Sequence, residues 1–273
     1  MSEPVILGPG EGESTHDRFK IKAGLEQLVI VEFRHQPGKN EPEPHIHHHH
    51  ADSFYVLEGE MEFLVRDDFQ TLKQGELIFA PPGFVHTFRN RGPNPARTLN
   101  LHAPGLGFDR HLIGDRSFEF DQHEPPEDGG LPLSAGIAGR DGRRLQIGDS
   151  EGLILVSGDD GIGSVTVMDL TLAPGYAGPP PHLHERHVES FYLLEGTVTV
   201  RLGDEEHEAS AGDYVLIPPG NVHTAGNRGD APAKALNVVA PGGLERYAME
   251  MAATDDPAER AEIASKYDVR FVE

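Results

Sequence analysis

The sequence predicts an all-β protein built from two copies of one domain, and three observations carry that prediction. Residues recur at a fixed spacing of 137 along the 273-residue chain, without interruption from about Gly38 to Gly105. The 32 glycines and 22 prolines mark many turns, which favours short strands over long helices. The length is near twice that of a usual domain, so each half can bury its own core. Solenoids and propellers repeat every few tens of residues, so a period of 137 indicates a whole-domain duplication.

The register of the repeat follows from residue pairs that share a type and differ by 137 in number. These pairs are His45 and His182, His47 and His184, His86 and His223, Gly59 and Gly196, Gly75 and Gly212, Pro81 and Pro218, Gly83 and Gly220, and Asn90 and Asn227. One chemically important pair differs in type, because Asp52 in the first copy matches Glu189 in the second. The repeat therefore duplicates a set of three histidines and one carboxylate.

Each copy is expected to begin with an apolar strand, Leu28 to Phe33 in the first and Val165 to Leu172 in the second, that ends at a Pro-Gly turn. A proline-rich stretch follows and keeps the chain extended up to the first histidine. Side chains two residues apart in an extended segment lie on the same face. The two histidines of each His-x-His can therefore point at one spot.

The next strands form a hairpin and then a buried strand that leads into a Pro-Pro-Gly turn. They are expected at Ser53–Glu58, Met61–Val65 and Glu76–Ala80, and at Ser190–Glu195, Thr197–Val200 and Asp213–Ile217. The Pro-Pro-Gly turn delivers His86 or His223. Closure of each sheet as a small barrel would bring that histidine back to the first pair.

The expected domain ranges are 1–112 for an N-terminal domain, 113–143 for a surface connector, 144–243 for a C-terminal domain and 244–273 for a helical tail. In the tail, Asp256 is a typical N-cap, followed by proline at the first helical position and by Glu259, which would complete a capping box. A helix is therefore predicted from Pro257 to Tyr267, and another helical turn from Leu244 to Met251.

Composition excludes several classes of function. The formal net charge of −22 would repel a phosphate backbone or an anionic membrane surface, so neither nucleic acid nor membrane is an expected partner. The chain has no cysteine, which excludes disulfides, thiolate metal ligands and a cysteine nucleophile. No leader-like segment or bilayer-length apolar stretch is evident, so a cytoplasmic protein is expected, as a monomer or homodimer acting on a small molecule.

The duplicated residues are suited to divalent metal ions. Three neutral imidazoles and one carboxylate bind borderline first-row metals, and Fe, Mn, Ni, Co, Cu and Zn all stay open, with one ion expected per domain. Four protein ligands can close a structural zinc tetrahedron. They can also leave positions open for substrate and oxygen if the ion takes five or six ligands.

The motifs also resemble those of a known family, the cupin superfamily. Gly175, His182-Leu183-His184, Glu189 and Gly196 resemble its first motif, and Gly212, Pro218, Gly220, His223 and Asn227 resemble its second. Six residues separate Gly175 from His182 where the motif usually has five, which lengthens a loop and leaves the ligand spacing intact. The resemblance covers about two-thirds of the chain and implies a bicupin, two double-stranded β-helix (jelly-roll) barrels in tandem.

Within the superfamily, the His-x-His-x4-Glu motif followed by Ser-Phe-Tyr-x-Leu-Glu-Gly is most similar to quercetin 2,3-dioxygenase-like bicupins. This resemblance implies a metal-dependent dioxygenase that cleaves a flavonol or a related enolic or aromatic molecule, with Glu189 as the catalytic residue that accepts the substrate's hydroxyl proton. The implied metal ligands are His45, His47, Asp52 and His86 in one domain, and His182, His184, Glu189 and His223 in the other. Two alternatives stay open: a decarboxylase, isomerase or lyase that uses the metal without oxygen, and a non-enzymatic cupin that binds a small molecule or metal.

Two differences between the copies favour the second for chemistry. Asp52 is one methylene shorter than Glu189, which withdraws its carboxylate by roughly 1.5 Å and predicts weaker or different metal coordination in the first domain. The second domain should also have more room for a ligand, because smaller residues replace four phenylalanines. The pairs are Phe33 and Leu170, Phe63 and Val200, Phe79 and Leu216, and Phe88 and Ala225.

The other histidines are interpreted by whether the second copy matches them. His48 and His49 match Glu185 and Arg186 and are expected at the surface. His50 matches His187 and is a candidate for a supporting or pocket-rim role. The histidines without a histidine counterpart are expected to be structural or exposed, and they are His16, His35, His102, His111, His123 and His207.

Overall fold

The computed structural model describes residues 2–39, 41–132, 142–160 and 163–272. The chain divides into two compact units, one of Glu11–Asp141 and one of Gly142–Glu273 together with Met1–Gly10. We refer to them as the N-terminal unit and the C-terminal unit. Each contains one copy of the repeat and is built mainly from antiparallel strands, which confirms the predicted all-β class.

The N-terminal unit is formed by a five-stranded sheet of order β2-β3-β10-β4-β7 and a three-stranded sheet of order β6-β5-β9. A parallel pair of short strands, β11 and β8, and one short helix complete it. The elements are β2 (Phe19–Gly24), β3 (Val29–His35), β4 (Ala51–Glu58), β5 (Glu60–Val65), β6 (Asp68–Lys73), β7 (Leu77–Ala80), β8 (Phe84–Val85), β9 (Phe88–Arg89), β10 (Ala96–Ala103), α1 (Phe108–Leu112) and β11 (Leu131–Pro132).

The C-terminal unit contains a seven-stranded sheet of order β1-β19-β16-β21-β14-β13-β12 and a five-stranded sheet of order β18-β17-β20-β15-β22. Its elements are β1 (Val5–Leu7), β12 (Arg143–Ile147), β13 (Ser150–Val156), β14 (Thr166–Leu172), β15 (His182–Leu183), β16 (Val188–Glu195), β17 (Thr197–Leu202), β18 (Glu205–Ser210), β19 (Tyr214–Ile217), β20 (His223–Gly226), β21 (Ala233–Ala240), α2 (Leu244–Ala252), α3 (Pro257–Lys266) and β22 (Arg270–Phe271).

Burial follows the alternation that the sequence predicts. Strand β5 buries Met61, Phe63 and Val65 and turns the residues between them outward. Strand β17 buries Val198 and Val200 in the same way. Because side chains alternate across a strand, each hairpin presents one apolar face to the core of its unit.

The two C-terminal helices form close to where the sequence places them. Helix α3 begins at Pro257, and the Asp256 carboxylate accepts hydrogen bonds from the backbone N–H groups of Ala258 and Glu259, as an N-cap does. The Glu259 carboxylate accepts a hydrogen bond from the hydroxyl of Thr254 at 2.5 Å, which replaces the reciprocal bond of a capping box. Within the described part of the chain, no helix has both the length and the hydropathy needed to cross a membrane.

Two segments lie outside the units in which the predicted domain ranges place them. Strand β1 pairs with β19, Val5 opposite Leu216, and Ile6 contacts the apolar core of the C-terminal unit. Phe120, in the predicted surface connector, is buried in a core cluster with Phe19 and Phe108 because its ring is apolar. Residues 133–141 of that connector lie outside the described residues. Elsewhere the predicted domain boundaries stay a prediction.

Candidate metal centres

Antiparallel pairing brings the first and last histidines of each copy together. The backbone N–H groups of His45 and His86 each donate to the other's carbonyl, at 3.1 and 3.0 Å. His182 on β15 lies opposite His223 on β20 in the same way. Side chains directly opposite on one face are close neighbours, and the two ring centroids are 4.4 Å apart in both units. The predicted long-range closure is therefore present in both copies.

The Pro-Pro-Gly turns are tied to the second histidine of each His-x-His. The N–H of Gly83 donates to the carbonyl of His47, and the N–H of Gly220 donates to the carbonyl of His184, each at 2.7 Å. Both glycines have φ of 83°, in the left-handed region where a side chain is strained. These turns set the distance between the two strands that carry the histidines.

The carboxylates approach the histidines at different distances in the two units. Glu189 Oε2 lies 2.9 Å from His223 Nε2 and 3.3 Å from His184 Nε2. Asp52 Oδ2 lies 3.3 Å from His86 Nε2 and 3.7 Å from His47 Nε2. The shorter side chain is thus withdrawn by 0.4 Å at each contact, less than the length of one methylene.

All eight predicted ligands lie where a metal ion would need them. The structure groups them as His45, His47, Asp52 and His86, and as His182, His184, Glu189 and His223. Every member is buried, and one donor atom from each lies within 4.8 Å of the donors of its group. Their role as ligands stays a prediction, to which the arrangement of their protons is relevant.

The six histidines share one tautomer. In each ring Nδ1 is bonded to a backbone carbonyl, which only accepts, so Nδ1 carries the proton and Nε2 presents a lone pair. The acceptors of His45, His47, His86, His182, His184 and His223 are the carbonyls of Glu43, Asp121, Phe84, Pro180, Asp268 and Asn221. The Nε2 atoms of His47, His86 and His184 are buried and have no hydrogen-bond partner among the described residues. Fixed tautomers of this kind are usual in metal-binding histidines.

The donor sets fit a divalent first-row ion. Two donors that bind one ion at about 2.1 Å lie roughly 3.0 to 3.4 Å apart when they subtend angles from 90° to 109°. The Glu189 distances of 2.9 and 3.3 Å match that range, whereas those of Asp52 reach 3.7 Å. The C-terminal centre therefore fits an ion more closely than the N-terminal centre.

The protonation states agree with this fit. Burial raises the pKa of Glu189, but hydrogen bonds and charge from His184 and His223 outweigh it and hold the pKa well below its usual 4.5. Burial likewise acts against Asp52, where nearby histidines keep the pKa well below 3.8. Burial and a neighbouring imidazole lower the pKa values of His45 and His182 to about 4. Carboxylates that are ionised and imidazoles that are neutral at pH 7 are the forms that bind metal.

An asparagine that the sequence analysis missed holds the outer carboxylate oxygen in each unit. Asn237 Nδ2 donates to Glu189 Oε1 at 2.8 Å and to the carbonyl of Ser190 at 3.3 Å. Asn100 Nδ2 donates to Asp52 Oδ1 in the same position. The two asparagines differ by 137, so the repeat itself carried the signal.

A second missed feature is an aspartate that supports the His-x-His loop, which we name the aspartate clamp. In the N-terminal unit the clamp is Asp121. Its carboxylate accepts from the backbone N–H groups of His48 and His49 and from His50 Nδ1, at 2.7 to 3.1 Å. Its backbone carbonyl accepts from His47 Nδ1 at 2.5 Å. One residue thus orients a predicted ligand and fixes the loop that follows it.

The C-terminal unit has the same clamp in Asp268. Its carboxylate accepts from the N–H groups of Glu185 and Arg186, at 3.2 and 2.9 Å, and from His187 Nδ1 at 3.0 Å. Its carbonyl accepts from His184 Nδ1 at 3.1 Å. The supporting role considered for His50 and His187 is therefore present in both units, while His48 and His49 are exposed as expected.

A cavity of about 630 Å³ opens above the C-terminal centre. Its floor includes His182, His184, Glu189 and His223, and one wall is a stripe of helix α2 formed by Leu244, Tyr247, Ala248, Met251 and Ala252. That spacing places these residues on one face of the helix. The Glu189 side chain is 12 % exposed and that of Asp52 only 3 %, so Glu189 is the carboxylate that a ligand can reach.

Two of the four predicted small-for-large replacements shape this cavity, because Leu170 and Ala225 line it. In the N-terminal unit the matching residues are Phe33 and Phe88. Phe33 belongs to a core cluster that also contains Phe108 and Phe120. Aromatic rings therefore occupy space in the N-terminal unit at positions where the C-terminal unit has smaller side chains.

A model of the cupin domain matches residues 31–102 and again residues 168–239. The two matches are offset by 137 residues, as the repeat is, and together cover more than half of the chain. The chain therefore belongs to the cupin family and carries two cupin domains in tandem.

Quercetin 2,3-dioxygenase of Bacillus subtilis (strain 168) is 24% identical over 296 aligned residues, which cover 89% of this chain and 84% of that protein. Two solved structures are similar in fold. One, on the Mn(II) centres of Bacillus subtilis oxalate decarboxylase, has a TM-score of 0.55 at 16% identity and covers 91% of this chain and 81% of that one. The other, a variant of salicylate 1,2-dioxygenase from Pseudoaminobacter salicylatoxidans, has a TM-score of 0.58 at 11% identity and covers 81% and 74%.

Proposed function

We propose that the C-terminal unit is a metal-dependent dioxygenase that cleaves a flavonol or a related enolic aromatic molecule. Its partners would be that small molecule and dioxygen, and its place of action the cytoplasm. The observation that carries the proposal is the position of Glu189, an ionised carboxylate on the floor of an apolar cavity beside three inward-facing imidazoles. The similarity to quercetin 2,3-dioxygenase along 89% of the chain supports this choice of reaction.

The residues of the site have distinct roles in this proposal. His182, His184 and His223 would hold a divalent ion, together with Glu189, and that ion would supply Lewis-acid and redox chemistry. Glu189 would accept the substrate's hydroxyl proton at Oε2, the oxygen that faces the histidines, because Asn237 occupies Oε1. A carboxylate beside a metal can act in this way as ligand or as general base.

The cavity walls determine which substrate can reach that oxygen. Leu170, Phe191 and Met251 supply apolar surface, and Tyr176 and Tyr247 add aromatic rings with hydroxyl groups. A cavity of about 630 Å³ has the size of a small-molecule pocket, and its mainly apolar walls exclude water from the reacting groups. A flat aromatic substrate with a polar enolic edge suits these walls, with that edge directed at Glu189.

Oxygen uptake tests the proposal directly. The full chain is stripped with a chelator, reloaded separately with Fe, Mn, Ni, Co or Cu, and mixed with quercetin in an oxygen electrode. We expect uptake with at least one ion and none in the chelated protein. Absence of uptake with every ion and a panel of flavonols would contradict the proposal, as would turnover that proceeds equally well without oxygen.

A further inference from the structure

Three buried imidazoles meet beside the N-terminal centre, and two of them belong to neither predicted ligand set. They are His47, His50 and His102, which we name the nitrogen triad. Their exposed fractions are 2, 0 and 2 %. One ring nitrogen from each lies within 4.8 Å of the other two. The rings of His47 and His50 stack at 4.1 Å, and those of His50 and His102 lie 4.8 Å apart.

The proton of each ring is already committed elsewhere. His47 Nδ1 donates to the carbonyl of Asp121, and His50 Nδ1 donates to the Asp121 carboxylate. His102 Nε2 donates to Asn100 Oδ1 at 3.1 Å, because the amide nitrogen of Asn100 points the other way, toward Asp52. A neutral imidazole has one N–H, so the second nitrogen of each ring is left with a lone pair.

Those lone pairs converge without a donor between them. His47 Nε2, His50 Nε2 and His102 Nδ1 are buried and have no hydrogen-bond partner in the part of the chain that the structure describes. A buried acceptor without a partner costs about 1 to 3 kcal/mol. A water molecule has two protons and could satisfy only two of the three nitrogens, whereas one cation can bind all three.

We propose that the nitrogen triad is a second cation position in the N-terminal unit, used by a zinc-class ion. His47 Nε2 belongs to both sets, so one ion would occupy either the His45, His47, Asp52 and His86 set or the nitrogen triad. Three neutral imidazoles without a carboxylate favour Zn²⁺, Co²⁺, Ni²⁺ or Cu²⁺ over the harder Mn²⁺. The C-terminal unit lacks this position because Val239 stands where the first copy has His102. The inference does not depend on which reaction the C-terminal unit performs.

The test uses the full chain with the competing sites removed. His182→Ala and His223→Ala eliminate the C-terminal centre, and His48→Ala and His49→Ala eliminate the exposed histidines. His45→Ala and His86→Ala are then added, which leaves the nitrogen triad intact, and Zn²⁺ binding is measured by titration calorimetry. We expect one equivalent of Zn²⁺ to bind and Mn²⁺ not to bind. Absence of Zn²⁺ binding by the folded variant, or equal binding of Mn²⁺, would overturn the proposal.

His102→Val, added to the same variant, is the matched control because it installs the residue that the other copy carries. We expect it to weaken Zn²⁺ binding at least 100-fold, and unchanged binding would contradict the assignment. If the multiple variant does not fold, anomalous scattering at the zinc edge from wild-type crystals grown with Zn²⁺ decides the question. Density among His47, His50 and His102 would support the second position, and density only at the His45, His47, Asp52 and His86 set would overturn it.

Discussion

At the scale of single residues, the carboxylates distinguish the two metal centres most clearly. The contacts of Asp52 with its histidines are 0.4 Å longer than those of Glu189. We expect Asp52→Glu to tighten, and Glu189→Asp to weaken, divalent metal binding at the altered centre by about tenfold, or 1.4 kcal/mol. Calorimetry on chains in which the other centre is removed by two His→Ala substitutions measures this. Affinities that do not respond to either exchange would show that carboxylate reach is unimportant.

His35 gives the N-terminal unit a pH dependence that its counterpart lacks. Its Nε2 is bonded to the Thr98 hydroxyl at 2.9 Å, and burial followed by the charge of Arg18 lowers its pKa from 6.5 to about 4. As the pH falls from 6.5 to 4, the unfolded chain takes up a proton that the folded chain refuses. The stability that neutral His35 contributes is therefore complete above pH 6.5 and is lost as the pH falls to 4.

The pair Leu172 and Ala235 occupies the matching positions in the C-terminal unit, so His35→Leu with Thr98→Ala is a natural control. Between pH 7 and pH 5, we expect the wild type to lose about 2 kcal/mol more of its free energy of unfolding than this variant. Urea unfolding in the presence of a chelator measures the difference without interference from metal. Equal losses in the two proteins would contradict the assignment.

Sequence reasoning identified the eight predicted ligands because their chemistry is local and duplicated. The His-x-His spacing in an extended strand and the Pro-Pro-Gly turn before the last histidine are both readable in the chain. Asn100 and Asn237 lie in the same register and were overlooked, although they carried the signal. His102 could not be assigned, because its role depends on burial beside Asn100 and Asp52 and not on a repeated motif.

At the scale of elements, the aspartate clamp ties a metal-binding loop to a segment from the end of each unit. We expect Asp268→Ala to weaken metal binding at the C-terminal centre roughly 10- to 100-fold, because His184 loses its orientation and the loop its two N–H acceptors. Asp268→Asn keeps an acceptor oxygen and should lose much less. Metal affinity at the N-terminal centre, measured in the same chain, is the internal control. Equal loss at both centres would indicate general unfolding and contradict the local role.

The clamp was outside the reach of the repeat analysis. Asp121 and Asp268 differ by 147, because the C-terminal tail is ten residues longer between the last strand of the repeat and the clamp. The strands, in contrast, were predictable from alternation and turn residues, and the Asp256 cap located helix α3. Tertiary pairing of a tail with a distant loop leaves no such periodic pattern in the chain.

Helix α2 separates the roles of its two faces. Met251 lines the cavity, whereas Met249 on the same helix is 42 % exposed. We expect Met251→Trp to fill part of the cavity and weaken quercetin binding at least tenfold, with metal content unchanged, and Met249→Trp to have no effect. Fluorescence titration of the protein with quercetin, after metal analysis, measures both. Equal effects of the two substitutions would mean that the ligand does not enter this cavity.

At the scale of the whole molecule, duplication has produced two similar frameworks with different contents. The cupin domains share their strand order around the site, their histidine tautomers and their aspartate clamp. They differ in the carboxylate, in the aromatic residues of the N-terminal core and in the nitrogen triad. The sequence predicted the family and the more favourable copy, but the cavity depends on how helix α2 covers the strands, which composition and spacing do not specify.

The central claim is that chemistry belongs to the C-terminal centre and needs the Glu189 carboxylate. Quercetin-dependent oxygen uptake by the metal-loaded wild type, Glu189→Gln and Asp52→Asn tests it most directly, with metal content determined for each protein. The account predicts at least a 100-fold loss of rate in Glu189→Gln and a change within about twofold in Asp52→Asn. A rate retained by Glu189→Gln at full metal content, or an equal loss in Asp52→Asn, would contradict it.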